Sequence, residues 1–201
     1  MRSVLQRFAL KKGLDVSIKG TPTDDLDSAP AVQTVAILGD DYIGLKPRLA
    51  VAEGDNVVAG TPIFAHKDTP QVQVVSPVAG RIKAINRGAR RKLISVEIEV
   101  GGDDAPVDFS GIGDATMAEG LTERLCSAGM WTSFRTRPYS KVPDPQTRPA
   151  AIFVTAMDTE PLAADPAPII AQQADAFVAG LKAIALLSEG KTYLCHADGA
   201  D

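Results

Sequence analysis

The chain has 201 residues, a hydrophobic fraction of 45%, and a formal net charge of −4 with a sequence pI near 5.2. That is enough apolar material to pack one large or two small domains, so a wholly disordered chain is excluded. The acidic balance and the lack of basic patches interleaved with aromatics exclude a typical nucleic-acid binder, and no apolar run approaches the ~20 residues of a membrane span.

The two cysteines, Cys126 and Cys195, are too few for a disulfide framework or a zinc or iron–sulfur site, and they suit a reducing compartment. Met1 to Leu10 lacks the long hydrophobic core and the cleavage site of a signal peptide. In chain order, Leu14-x-Val16-x-Ile18 alternates as an edge strand does and ends at Gly20. Thr21 to Pro30 is acidic and proline-bearing, which reads as a loop. Gln33 to Leu38 is a strand, followed by the turn Gly39-Asp40-Asp41-Tyr42-Ile43-Gly44-Leu45. Two readings fit Tyr42: a tyrosine packed in a β-hairpin, or a ring held between Gly39 and Gly44 where bare backbone approaches a ligand.

From Val51 to Ile98, short alternating apolar runs are separated by Gly54-Asp55, Ala59-Gly60 and Pro77-Val78-Ala79-Gly80. Period-two alternation bounded by such turns predicts half-buried strands in a small sandwich or flattened barrel. The pattern Gly54-Asp55-x-Val57-x-x-Gly60 with Ser76-Pro77-x-x-Gly80-x-Ile82 resembles the biotinyl/lipoyl hammerhead family. That resemblance implies a carrier lysine on the hairpin between the two halves. Lys67 is the nearest candidate, without the flanking residues of the carriers and ten positions before Pro77. The other reading is a solvated lysine at a loop tip.

Arg87-Gly88-Ala89-Arg90-Arg91-Lys92 is a basic turn, either a solvated hairpin tip or a contact for an acidic partner or phosphate. Gly101 to Asp114 is acidic, glycine-rich and irregular. Thr116-x-x-Glu119 has capping-box form and predicts a helix with Leu121, Leu125 and Ala128 on one face, ended by Gly129. Cys126 in it reads as a small buried side chain.

Met130 to Pro143 holds the single Trp131 with Phe134, Tyr139, Arg135, Arg137 and Lys141, and prolines at 138, 143 and 145 mark it as a structured loop. It reads either as an aromatic-packed connector or as a binding loop, with rings for a planar ligand and arginines for anionic or carbonyl oxygens. Ala150 to Thr155 is a near-continuous apolar run, as in a buried parallel strand. Ala156 to Leu162 is the loop at its carboxyl end, where open α/β sheets place ligands. Pro168 to Glu189 predicts one long helix closed by Gly190, and Thr192 to Cys195 a second strand. One βαβ unit cannot cover both faces of a sheet, so the expectation is the amino-terminal part of a longer protein, or a domain that a partner completes.

The fold class expected is therefore mixed α+β. A β-rich biotinyl/lipoyl-like hammerhead (barrel-sandwich) module is followed by an incomplete Rossmann-like α/β unit. The expected divisions are 1–30 (strand and loop), 31–114 (β module), 115–148 (helix and aromatic/Arg connector) and 149–201 (start of the α/β domain). His66 and His196 are isolated, which argues against a metal site, and no acid–base or nucleophile set is visible.

Four segments together resemble the A-subunit family of the sodium-translocating NADH:quinone oxidoreductase. They are Lys11-Lys12-Gly13-Leu14-Asp15; Lys83-x-Ile85-Asn86-Arg87-Gly88-Ala89-Arg90-Arg91; Trp131-Thr132-x-x-Arg135-Thr136-Arg137-Pro138-x-Ser140-Lys141-Val142-Pro143; and Phe153-Val154-Thr155-Ala156-Met157-Asp158-Thr159-x-Pro161-Leu162-Ala163. The likeness spans about residues 8 to 196, and family members are more than twice as long. It implies a peripheral subunit, free of cofactor and of catalytic residues, on the cytoplasmic face of the bacterial inner membrane. Such a protein would dock on the other subunits of a complex that uses NADH, flavins, an iron–sulfur cluster and ubiquinone and exports Na⁺.

The family is similar in turn to the C-subunit of Rnf and to the flavin-bearing NADH-binding subunit of complex I. There a glycine-rich loop cradles FMN, and Asp158, Thr159, Glu160 and Pro161 match part of that flavoprotein's acidic loop. Here Trp131 to Pro138 stands in the glycine loop's place without a glycine, so bulky side chains fill the space a phosphate needs against bare amides. The resemblance further implies contact with quinone. From residue type, the expected quinone-head residues are Gly39, Tyr42, Gly44, Trp131, Arg135, Arg137 and Tyr139. The alternatives are a lipoyl- or biotin-type carrier modified at Lys67 and an FMN-dependent NADH dehydrogenase.

Overall fold

A computed structural model describes residues 18–23, 25, 31–102 and 104–197. The alternation between Val51 and Ile98 folds as a sandwich of two antiparallel sheets. The first orders β1 (Thr34–Leu38), β7 (Leu93–Val100), β6 (Gly80–Arg87) and β3 (Asn56–Val57) side by side. The second orders β2 (Pro47–Leu49), β4 (Pro62–His66) and β5 (Gln73–Val75). Register puts Ile37 opposite Val96 and Ile82 opposite Ile98, so one face of the first sheet is a continuous β-branched surface. Val57, Ile63, Phe64 and Val74 join it in a single buried cluster. Ile63 and Phe64 are consecutive yet 0% and 1% exposed, because the β4–β5 register shifts between Pro62 and Phe64 and turns both inward.

The expected edge strand Leu14–Ile18 lies outside the described residues except for Ile18, which is exposed and in no strand. Most of the expected loop Thr21–Pro30 also lies outside them. After β7 the chain crosses the sandwich, Val107 N–H donating to the Ala59 carbonyl at 2.8 Å.

α1 (Ala118–Ser127) starts later than the capping-box reading requires. Met117 is its cap and gives no side-chain hydrogen bond. Thr116 instead donates its hydroxyl (2.6 Å) and its N–H (2.9 Å) to Asp114 Oδ1, which holds the Asp114 carboxyl below its usual range. The acceptor in the preceding turn outcompetes the helix end. Gly129 ends the helix as read, at φ +75°, with the left-handed backbone that a side chain resists. Met130–Ser133 then makes a tight 3₁₀ turn where a loop was expected.

β8 (Ala151–Thr155) and β9 (Lys191–Cys195) pair in parallel, Phe153 opposite Tyr193. The crossover between them is two helices, not one: α2 (Ala167–Gln172) and α3 (Ala174–Ala185) meet at Gln173, whose φ of −127° and ψ of 34° leave the helical region. α3 closes in tightened i→i−3 turns at Leu186 and Leu187, short of Glu189. Gly190 is therefore not a helix cap. A Cβ there would lie 1.8 Å from the Ala150 carbonyl oxygen, so it is the residue that lets the starts of β8 and β9 approach.

The reading of β8 as a buried strand is corrected. Ile152 packs on the core, but Phe153 is 65% exposed and stacks at 4.9 Å on Tyr193, which is also exposed. A sheet of two strands has one face against α3 and the other open. A second buried cluster joins Leu121, Cys126, Trp131 and Leu187 to Val72, which comes from the β4–β5 loop of the sandwich. Val72 is 1% exposed, so it fastens the two halves of the chain to each other.

Candidate functional site

Beside Val72, where the two halves meet, lies a cleft of about 190 Å³. One wall is Ile43, Gly44 and Leu45 from the turn after β1. The floor is His66 at the end of β4, with Thr69 and Val72 from the β4–β5 loop. The other wall is Lys141, Val142, Pro143 and Asp144 from the segment that follows Trp131. The lining is mainly apolar, with His66, Thr69, Lys141 and Asp144 as its polar residues, and the volume is below the ~300 Å³ at which drug-sized ligand sites begin.

Each wall is held from behind by a residue singled out in the sequence. Trp131 is 5% exposed in the second core, and its Nε1–H donates to the Pro143 carbonyl at 2.9 Å. Its ring also packs on Phe134 at 5.2 Å, so its faces are covered. Arg135 donates to the carbonyls of Thr132, of Phe134 (2.9 Å) and, across the cleft end, of Asp41 (3.3 Å). It ties the Trp131 segment to the turn after β1 rather than presenting a free guanidinium.

Tyr42 sits half-buried with its ring edge-on to Phe64 at 5.5 Å, which is the packed-tyrosine reading. Burial, reinforced by Asp41 and opposed by Arg135, raises the pKa of its hydroxyl above the ordinary value, so the group remains a donor at neutral pH. Gly39 is packed so that a Cβ would lie 2.3 Å from the Leu93 carbonyl oxygen, which makes it a packing glycine. Gly44 lines the cleft at φ +78° with nothing within 4 Å of a Cβ. Arg137 and Tyr139 (76% exposed) stand outside the cleft. They occupy a small turn closed by Ser140 N–H to Thr136 O and Thr136 N–H to Lys141 O, both 2.8 Å. The two predicted segments thus converge on one place. Of the seven residues only Gly44 lines the cleft itself.

His66 is the residue that sequence reasoning set aside. Its Nδ1 accepts the backbone N–H groups of Asp68 (3.0 Å) and Thr69 (3.2 Å). An Nδ1 that accepts carries no proton, so the ring is the tautomer with its N–H at Nε2. The available signal was His66 followed by Asp68-Thr69, a loop in which a side-chain acceptor can satisfy two amides. Lys67, the carrier candidate, is exposed in the same loop with its backbone N–H donating to Lys46 O at 2.8 Å. Folded around the His66 ring, residues 67–72 form a broad loop and not a two-residue hairpin tip. In the segment 131–138, Trp131 and Thr132 are buried, while Arg135 to Pro138 are exposed. Among the described residues no group of three or more His, Cys, Asp and Glu is placed to hold a metal ion, and no helix is long and apolar enough to cross a membrane.

Residues 8–101 match the NqrA N-terminal barrel-sandwich hybrid domain, and residues 116–201 match the NqrA second alpha/beta domain. The chain is similar to the A-subunit of the Na(+)-translocating NADH-quinone reductase of Saccharophagus degradans, 47% identical over 195 residues that cover 95% of this chain and 43% of that protein. It is similar to the same-named proteins of Serratia proteamaculans (47% over 197 residues, 96% and 44%) and Yersinia pestis (45% over 197 residues, 94% and 43%). The chain therefore spans less than half the length of these curated relatives.

Proposed function

Since the chain belongs to the NqrA family, the A-subunits of the Na⁺-translocating NADH-quinone reductases, we propose that it is a peripheral part of such a complex and that its cleft receives the quinone head. Electron transfer from NADH, and its coupling to Na⁺ export, runs through flavins and an iron–sulfur cluster in other subunits. This chain binds none of those groups and docks on its partners at the cytoplasmic face of the bacterial inner membrane. For this purpose the chain divides into the β module (31–114), the connector (115–148) and the α/β part (149–201).

What supports the quinone reading is one observation: the turn around Tyr42 and the segment after Trp131, both bearing aromatic or arginine side chains, meet at one cleft. A quinone head is a flat apolar ring with two carbonyl acceptors. The cleft has apolar walls from Ile43, Leu45, Val142 and Pro143, and its lining includes His66 and Lys141, the two residues we assign as donors to the quinone oxygens. Those groups bind and orient the ring; Trp131 and Arg135 hold the walls at their spacing.

Photo-crosslinking in the purified complex tests this. A quinone analogue with its photoreactive group on the ring is expected to label residues 42–45, 66–72 or 137–144. Labelling of this chain only elsewhere, or of other subunits only, would remove the quinone site from this chain.

A further inference from the structure

We propose that the β6–β7 turn is a docking point for a carboxylate-bearing surface of a neighbouring protein subunit, with Arg90 and Arg91 as its contacts. The inference rests on the reading of the chain as one component of a larger complex. It concerns a different face of the molecule from the cleft.

The turn Ala89-Arg90-Arg91-Lys92 is closed by the Lys92 N–H donating to the Ala89 carbonyl at 3.2 Å. Arg90 and Arg91 both lie at positive φ, 55° and 62°. Two positive φ values in succession define the hairpin turn whose twist matches the flanking strands, and Asn-Gly is the pair that fits it with least strain. A Cβ in that region crowds the carbonyl oxygen, so two arginines are an unfavourable local choice. Local sequence and local backbone disagree here, and such disagreements gather at functional sites.

The charges are also arranged. Arg87 donates through Nη1 to the Arg91 carbonyl at 3.1 Å, and Gly88 N–H donates to the Lys92 carbonyl at 2.8 Å, so the tip is pinned from both sides. Lys92 is paired to Asp40 at 2.5 Å. Arg90 and Arg91 are exposed, and among the described residues neither has an ion-pair partner. They stand together on a stiff turn of a molecule whose net charge is −4.

Binding to an anionic membrane uses a broad cluster of about 4–8 basic residues near the surface. Here two of the four turn cations are already engaged by the chain itself. Two guanidinium forks rooted on a pinned backbone turn suit point recognition of carboxylates. A contact of this kind sets register and encounter rate between subunits, and it weakens as salt rises.

The test is made in the purified complex containing this protein. In R90N/R91G the turn receives the pair its backbone favours and loses both charges. The variant is expected to melt at a higher temperature than native, and to be lost from the complex at a lower salt concentration. In R90K/R91K the complex is treated with a zero-length carbodiimide, which joins an amine to a carboxylate only in contact. The expected product links the turn to an aspartate or glutamate of another subunit. Retention of R90N/R91G equal to native, or a carbodiimide link only within this chain, would overturn the inference. So would native-selective sedimentation with phosphatidylglycerol vesicles alongside unchanged retention, since the tip would then be a lipid contact. A lower melting temperature for R90N/R91G would contradict the turn geometry. If the native protein does not co-purify with a complex at all, the failure is that of the proposed function and is visible before any variant is made.

Discussion

The Nε1–H of Trp131 donates to the carbonyl of Pro143 across 2.9 Å, folding the connector back on itself so that the core and one wall of the cleft share a single tryptophan. Trp131→Phe keeps most of the buried ring and leaves the Pro143 carbonyl without this donor. The expected loss is about 1–2 kcal/mol, while Trp131→Ala loses about 3–5 kcal/mol through its cavity. Denaturant unfolding followed by far-ultraviolet circular dichroism measures both, and an unchanged stability in Trp131→Phe would mean that the hydrogen bond contributes nothing.

Arg124 reaches from α1 to three carbonyls of the preceding segment. Nε donates to Ile112 O at 2.7 Å, and Nη2 donates to Ser110 O at 2.7 Å and Gly113 O at 2.8 Å. A lysine has one point of charge and cannot fork to all three. Arg124→Lys is expected to lose about 1 kcal/mol and Arg124→Ala about 2 kcal/mol. Hydrogen exchange at residues 110–117 should rise in both variants, and unchanged exchange there would separate Arg124 from the ordering of that segment.

Gly129 sits against the sandwich as well as ending α1. A Cβ there would lie 2.9 Å from Val75 Cγ2, in a backbone with φ +75°. Gly129→Ala meets both the left-handed penalty of about 1–2 kcal/mol and the contact with β5. The expected result is a lowered melting temperature, whereas Gly180→Ala, inside α3 where a Cβ meets nothing within 4 Å, is expected to raise it. Equal shifts would mean that the α1 end does not bear on the sandwich.

Burial pushes the Cys126 thiol from about 9 up to about 12. A raised folded pKa means that the unfolded chain releases this proton first. The stability tied to Cys126 is complete below about pH 9 and falls as pH rises from about 9 toward about 12. Cys126→Ala should flatten that alkaline decline. At pH 8 the native chain's Cys126 should resist alkylation until denaturant is added, and rapid labelling of Cys126 in the native state would contradict its place in the core.

The sandwich was legible because its signal is strictly local: period-two alternation with Gly-Asp and Pro-x-x-Gly corners fixes strand after strand. The parallel pair β8–β9 was legible for the same reason, as an apolar run, a helical stretch and a second run. What was not legible depends on neighbours distant in sequence. The exposure of Phe153 follows from how many strands flank it, which its own segment does not encode. The capping box failed because Asp114, two residues before Thr116, captured the hydroxyl.

The site was legible at the level of segments and not of side chains. Aromatic and arginine residues marked two stretches that the fold brings together, yet Trp131 turns to the interior and Arg135 to Asp41 O, and of the residues singled out only Gly44 joins Lys141 and Val142 in the lining. In the sequence His66 reads as an isolated histidine, since the two amides that orient its ring become partners only once the loop is folded.

The most direct measurement uses the fluorescence of Trp131, the only tryptophan in the chain, during titration with a short-chain ubiquinone. Pro143, its hydrogen-bond partner, lines the cleft, so a bound quinone ring lies within quenching range. The comparison is His66→Asn, in which the amide oxygen can still accept the Asp68 and Thr69 N–H groups while the Nε2–H donor is gone. The account predicts saturable quenching in the native chain and roughly tenfold weaker affinity in His66→Asn, about 1.4 kcal/mol for one hydrogen bond. Quenching that never saturates, or an identical titration in His66→Asn, would contradict it.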